Sequence, residues 1–322
     1  MKQFAVIATT HPVTQSGITT VLSRESLEKA AKSINDGHRP LLGVEHDRTI
    51  PPLGKILEAW VENRIDGQYQ LVVMQEIFEE TSQVTLVNGM QLLRKESETD
   101  RYPFANPYKN SESHFTLSYD LANFESLESA KNFINDIKNS SGVDFTDKLF
   151  SRRSAIPEPE FIINVIQTIG IFLISHKVID KAGDKIIDSI MDDVPKFYAL
   201  VKALVASGIK YAHPKNRPIT YVFIVSDNPL IEFIVTSADS NTVMSAISID
   251  KLKQAISKNM DIYQNLGAEK IQYLLNKQGE WEFNYLLTST GQIIGTHQAY
   301  SKQARKMNYL INSSLLELNG EN

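Results

Sequence analysis

The chain has 322 residues, of which 42% are hydrophobic and 22% charged, with a net charge of −5 and a pI near 5.9. That length outgrows one ordinary core, so two or three domains are expected, and the composition is that of a folded soluble protein. The acidic balance, with no Lys/Arg run longer than a pair, argues against broad nucleic-acid binding, and the absence of cysteine excludes disulfides, thiolate metal sites and cysteine nucleophiles.

Residues 1–8 hold too short an apolar run for a signal peptide and read as a first strand, which with the missing cysteines suggests the cytoplasm. Turn residues follow at His11-Pro12 and Ser16-Gly17. Ser23 is placed to cap a helix over 26–34, which Asn35-Asp36-Gly37 stops. A strand over 40–44 then delivers Glu45-His46-Asp47 to a Pro51-Pro52 turn. Residues 53–62 and 69–77 predict a hairpin turned at Asp66-Gly67. Asn88-Gly89 interrupts the apolar run 84–93, and the polar stretch 95–113 reads as a long surface loop. Residues 114–121 alternate strictly, with His114, Thr116, Ser118 and Asp120 on a solvated face and Phe115, Leu117, Tyr119 and Leu121 on the other. Ser126 caps a helix to about residue 138.

The fold class expected is α+β. Residues 1–138 form a β-barrel-like domain able to fold alone, and 139–160, with its Ser, Gly and Pro residues, is a linker. Residues 161–210 form a helical segment that begins in the most apolar stretch of the chain. Asn164, Thr168 and Ser175 favour a helix over 161–179 buried in protein rather than lipid, since each would need a partner in hydrocarbon. A membrane-attached version of the protein depends on that same stretch. A second helix starts at Pro195, capped by Asp193. Residues 211–318 read as two tandem βββα units offset by fifty residues, the first with its third strand at 242–247. This domain offers no catalytic residue and is assigned to binding or assembly.

The densest chemistry lies in Gly43-Val-Glu-His-Asp-Arg-Thr-Ile-Pro-Pro-Leu-Gly-Lys-Ile56. A histidine is the usual general base near neutral pH, and a carboxylate can fix its tautomer. His46 stands between Glu45 and Asp47. Neighbours along an extended chain point apart, so Asp47 orients His46 only within a tight turn. The plain alternative is a polar loop histidine. No metal-ligand spacing, HExxH motif or glycine-rich phosphate loop occurs, so no metal or cofactor is expected.

A helix, a strand ending in His-Asp, a Pro/Gly turn leading into Gly-Lys-Ile and a hairpin after Asp-Gly resemble the prohead maturation proteases of tailed phages, relatives of the herpesvirus assemblins. The likeness covers residues 1–135. It implies a serine peptidase with His46 as base and Ser118, in Thr116-Leu-Ser-Tyr119, as nucleophile. Family members often place a glycine soon after the nucleophile, whereas Tyr119-Asp120-Leu121 follows here. Glu45, Asp47 and His114 are candidates for the orienting residue, with Glu96, Glu98 and Glu112 further afield. His114 would lie about 13 Å from Ser118 along a regular strand, out of hydrogen-bond reach.

Two readings follow. One is a peptidase-like domain, active in proteolysis or self-cleavage in a phage-related or phage-defence setting, joined to an assembly domain. The other is a non-catalytic interaction protein that homo-oligomerises. In both, the partner is a protein or peptide rather than nucleic acid.

Overall fold

Near-continuous apolar runs belong to strands covered on both faces, and residues 160–165, 219–225 and 230–235 carry such runs. The computed structural model describes residues 1–15, 18–79, 81–86, 88–106, 108, 115–150, 159–165, 184–259, 262 and 265–320. The chain opens with β1 (Lys2–Thr9), a small hairpin of β2 (Val13–Gln15) and β3 (Ile18–Thr20), α1 (Arg24–Asn35), β4 (Leu41–Leu42), β5 (Gly54–Asn63) and β6 (Tyr69–Ile77). Next come β7 (Thr81–Thr85), β8 (Gln91–Lys95), β9 (Thr116–Asp120), α2 (Leu127–Ser141), β10 (Thr146–Phe150), β11 (Glu160–Asn164) and α3 (Asp184–Tyr211). The last part holds β12 (Ile219–Asp227), β13 (Leu230–Ser237), α4 (Ser240–Ala246), α5 (Ile249–Lys258), β14 (Ala268–Leu275), β15 (Trp281–Thr288), β16 (Ile293–Gly295) and α6 (His297–Gly320).

The first sheet has the order β1-β6-β5-β4 and is antiparallel throughout. Its central hairpin is the one expected, with Gly67 at φ +80° in the turn. The hydroxyl of Ser23 accepts the Ser26 N–H and starts α1, whose Leu27, Ala31 and Ile34 pack on Ile56, Ala59, Leu71 and Val73. Among the described residues the expected barrel does not close. β4 is only two residues long, and β7 and β8, the next strands in the chain, pair elsewhere.

They join a ten-stranded sheet of order β10-β9-β11-β12-β13-β14-β15-β16-β8-β7. Three neighbouring pairs are parallel, β9/β10, β11/β12 and β13/β14, and the rest are antiparallel. Parallel neighbours need a crossover. α2 lies in the first crossover, α3 in the second, and α4 with α5 in the third. All four helices bury their apolar stripes on one face, where Phe133, Phe197, Leu204, Val243 and Ile256 share a core with Leu117, Phe161, Phe223, Phe233 and Tyr273. The opposite face carries the small cluster Ile162, Val222, Ile224, Leu230 and Ile234.

Several expectations are corrected. Residues 161–164 belong to a strand, β11, buried between β9 and β12; of the expected helix over 161–179, residues 166–179 lie outside the described ones. α3 begins before Pro195 and runs through it. Residues 242–247, expected as a third strand, are largely α4. The Asp239 carboxylate accepts the Asn241 and Thr242 N–H groups there, and Val243 and Ala246 turn into the core at helical spacing. The hairpins β12/β13 and β14/β15 recur, but the first continues into two helices and the second into β16 and α6. The large sheet takes strands from both sides of the expected boundary at 138, and residues 146–150 of the expected linker are β10. Among the described residues, no helix is long and apolar enough to cross a membrane.

The stretch read as a surface loop is anchored at its start. The ammonium of Lys55, fully buried, donates to the Asp100 carboxylate at 2.6 Å and to the Asp100 and Tyr102 carbonyls at 2.8 and 3.0 Å. Arg39 reaches the same carboxylate at 2.9 Å.

Candidate functional site

Two successive residues with positive φ, Glu45 at +46° and His46 at +56°, make the tight turn after β4. The Asp47 N–H donates to the Val44 carbonyl at 2.9 Å and closes it. The Asp47 carboxylate accepts the Thr49 N–H at 2.9 Å and the Thr49 hydroxyl at 2.5 Å, a local turn of the kind aspartate favours.

That turn projects Arg48 over the face of the large sheet opposite α2–α5. Its Nε lies 3.1 Å from Glu160 Oε1 on β11, and its Nη1 3.1 Å from Glu232 Oε1 on β13. The backbone of the same loop is bound as well. The Arg48 carbonyl accepts from Gln272 at 3.0 Å and the Thr49 carbonyl from Asn284 at 3.1 Å. From α6, Lys302 donates to the Thr49 hydroxyl, and Gln303 donates to the Pro51 and Pro52 carbonyls at 2.7 and 3.0 Å.

Beneath Arg48, Glu232 is wholly buried, and its second oxygen accepts from Lys270 Nζ at 2.8 Å and Gln272 Nε2 at 2.7 Å. Gln272 in turn lies 3.3 Å from the Tyr285 hydroxyl and accepts from Asn284 at 2.7 Å. Burial pushes the Glu232 carboxyl up, but Lys270 and Arg48 together outweigh it and hold it below the ordinary carboxylate range. Burial likewise pulls Lys270 down, and Glu232 more than reverses this, leaving Lys270 above its ordinary value. Tyr285 is pushed up chiefly by burial and stays a phenol. Glu232 is therefore held as an anion, and Lys270 and Arg48 as cations. None of them is poised to give or take a proton near neutral pH, so the arrangement suits binding and registry rather than acid–base work.

His46 sits exposed in the turn, and Asp47 is engaged with Thr49. Ser118 is half-buried in the middle of β9, opposite Ile162 on one side and Lys148 on the other. Among the described residues no hydrogen bond joins His46 to Ser118. Glu45 is exposed beside His46, and His114 and Glu112 lie outside the described residues. Glu96 binds Arg101 and Gln292 instead. The face expected to be solvated is closed, with Thr116 3% and Asp120 2% exposed. Asp120 accepts the Ala122 N–H at 2.9 Å and caps the short turn Leu121–Asn123.

The sequence draws attention to this loop through His46, and not to Arg48, Glu160, Glu232, Lys270 and Gln272. A signal was available, because Glu232 interrupts the run Leu-Ile-Glu-Phe-Ile-Val, and a charge inside a strand buried on both faces requires a partner. Two clefts, of about 320 Å3 beside Trp281 and Lys251 and about 390 Å3 beside Phe115 and Asp193, are lined by neither the charge cluster nor His46 or Ser118. No family model matches the chain, and no curated protein or solved structure was found to match it.

Proposed function

We propose that the chain is a non-catalytic interaction protein whose partner is another protein. The observation that supports this most is the use of the Glu-His-Asp-Arg stretch. Asp47 shapes the turn, Arg48 neutralises two buried carboxylates, and the loop backbone is tied to the sheet and to α6. Those contacts fix a loop; they do not present a base to a hydroxyl. A protein partner fits the acidic net charge and the exposed apolar side chains at the sheet edge, among them Phe4 and Val6.

A fluorophosphonate probe on the purified chain tests the reading. No labelling is expected. Stoichiometric labelling that disappears in Ser118→Ala would establish the serine peptidase instead.

A further inference from the structure

Among the described residues, the first strand is an uncovered edge. β1 has β6 on one side, and the strand order places it at the border of its sheet. Phe4 is 69% exposed, Val6 50% and Ile7 43%. Phe4 lies edge-on to Trp60 of β5 at 5.6 Å between ring centres, so the two form one aromatic surface on the face away from α1.

The hydrogen-bond parity of β1 fixes what its edge offers. The Met1 nitrogen donates to the Ile77 carbonyl and the Ile77 N–H to the Met1 carbonyl, both at 2.8 Å, which makes Met1 and Ile77 a hydrogen-bonded pair. In an antiparallel ladder these pairs alternate with open ones. Lys2, Phe4 and Val6, opposite Glu76, Met74 and Val72, occupy the open positions, so their N–H and C=O groups point away from β6. The ladder keeps this parity up to the irregularity at Ile7. From Gln3 to Thr9 the strand holds no charged residue and no proline, the usual guards of a monomer's sheet edge.

We propose that this edge pairs antiparallel with the same edge of a second copy, on a two-fold axis through Phe4. This rests on the reading of the chain as an interaction protein and names its partner. The bulge ends regular pairing at Val6, and only the register centred on Phe4 uses the whole stretch Lys2–Val6 of both copies. Phe4 then faces Phe4 of the partner subunit, Gln3 faces the partner's Ala5, and Lys2 faces the partner's Val6. No like charges meet, and the two Phe4–Trp60 pairs merge across the joint. The two four-stranded sheets become one continuous sheet. Strand addition by a foreign peptide draws its specificity from pockets for alternate side chains. Here the outer face offers a flat aromatic pair, with the Trp60 indole N–H already donating to Glu62 at 2.6 Å. Self-matching supplies the specificity that pockets would.

Sedimentation velocity on the full chain, with three sequences compared, is the test. The native chain is expected to be a dimer at micromolar concentration. Phe4→Lys places two cations face to face and is expected to raise the dimer Kd at least about tenfold, with an unchanged circular dichroism spectrum. Phe4→Cys, in a chain with no other cysteine, is expected to form a disulfide-linked dimer on mild oxidation, since opposed strand residues lie within disulfide reach. A monomeric native chain overturns the pairing and leaves the edge to a strand of another protein. A dimer that Phe4→Lys does not weaken, or that Phe4→Cys does not lock, overturns it too. Fluorophosphonate labelling of Ser118 overturns the interaction reading whatever the assembly state, so the two failures are distinguishable.

Discussion

Arg48 Nη1 meets Glu232 Oε1 at 3.1 Å, across 184 residues of chain. Two carboxylates from different strands share that one guanidinium, and the loop that carries it joins the small sheet to the large one. Removing it takes a cationic neighbour from two buried carboxyl groups, of which Glu232 keeps Lys270 and Gln272. Arg48→Ala should destabilise the fold by about 3–5 kcal/mol in urea denaturation, whereas His46→Ala, at an exposed turn position, should shift it by less than about 1 kcal/mol. Equal effects would mean that the loop is held by its turn and not by the ion pairs.

The charge cluster predicts a stability profile with two flanks. Glu232 has a folded pKa below its unfolded one, so its contribution is present above about pH 4.3 and is lost as pH falls through the folded value. Lys270 has a folded pKa above its unfolded one, so its contribution is present below about pH 10.4 and is lost as pH rises through the folded value. The thermal midpoint should be flat through neutrality and fall on both sides. Glu232→Gln should lower the plateau and flatten the acid flank; an acid flank of unchanged steepness would place the titrating groups elsewhere.

Gly54 opens β5 under a close approach of backbone. A Cβ there would lie 1.8 Å from the Glu76 carbonyl oxygen and 2.9 Å from its carbon, neither of which can swing aside. Gly54→Ala should cost about 3 kcal/mol or more. At Gly43, eleven residues earlier, the nearest atom is Leu41 Cδ1 at 3.8 Å, and alanine should be tolerated within about 0.5 kcal/mol. Paired chemical denaturation curves of the two variants check the contrast.

A fragment of residues 1–138 retains β8 and β9 without β16, β10 or β11, their partners in the large sheet. It also strips Leu117 and Tyr119 of the strands and of α3 that cover them. Such a fragment should aggregate or stay partly unfolded when expressed alone. A monodisperse fragment with a cooperative melt would show that the small sheet and β7–β9 form a self-sufficient unit.

Local signals in the sequence were reliable where the deciding chemistry is local. Ser23 and Ser126 cap the helices their spacing indicates, and Asp66-Gly67 turns the hairpin. Strand partners were not legible, because alternation tells which residues share a face and not what lies beside them. Hence the sequence does not tell that β7 and β8 leave the first sheet, nor that Thr116 and Asp120 on the polar row of β9 are buried. The four-residue run Phe161–Asn164 fits a buried strand or a buried helix equally by its period, and pairing decided it. At the candidate site the loop was legible from its turn chemistry. Its working residue was not, since the carboxylates that give Arg48 its role come from residues 160 and 232.

The antiparallel pairing of β8 with β16, with Lys95 opposite Ile293, sets an order of events in the cell. At about 5–20 residues per second on the ribosome, β8 emerges roughly 10–40 seconds before the strand it must join. During that interval β7 and β8 can form only their own hairpin, while the central strands and their helices assemble from the later part of the chain. The far end of the large sheet is thus sealed last, and a translational pause or a truncation before residue 293 would leave that hairpin unattached on an otherwise built sheet.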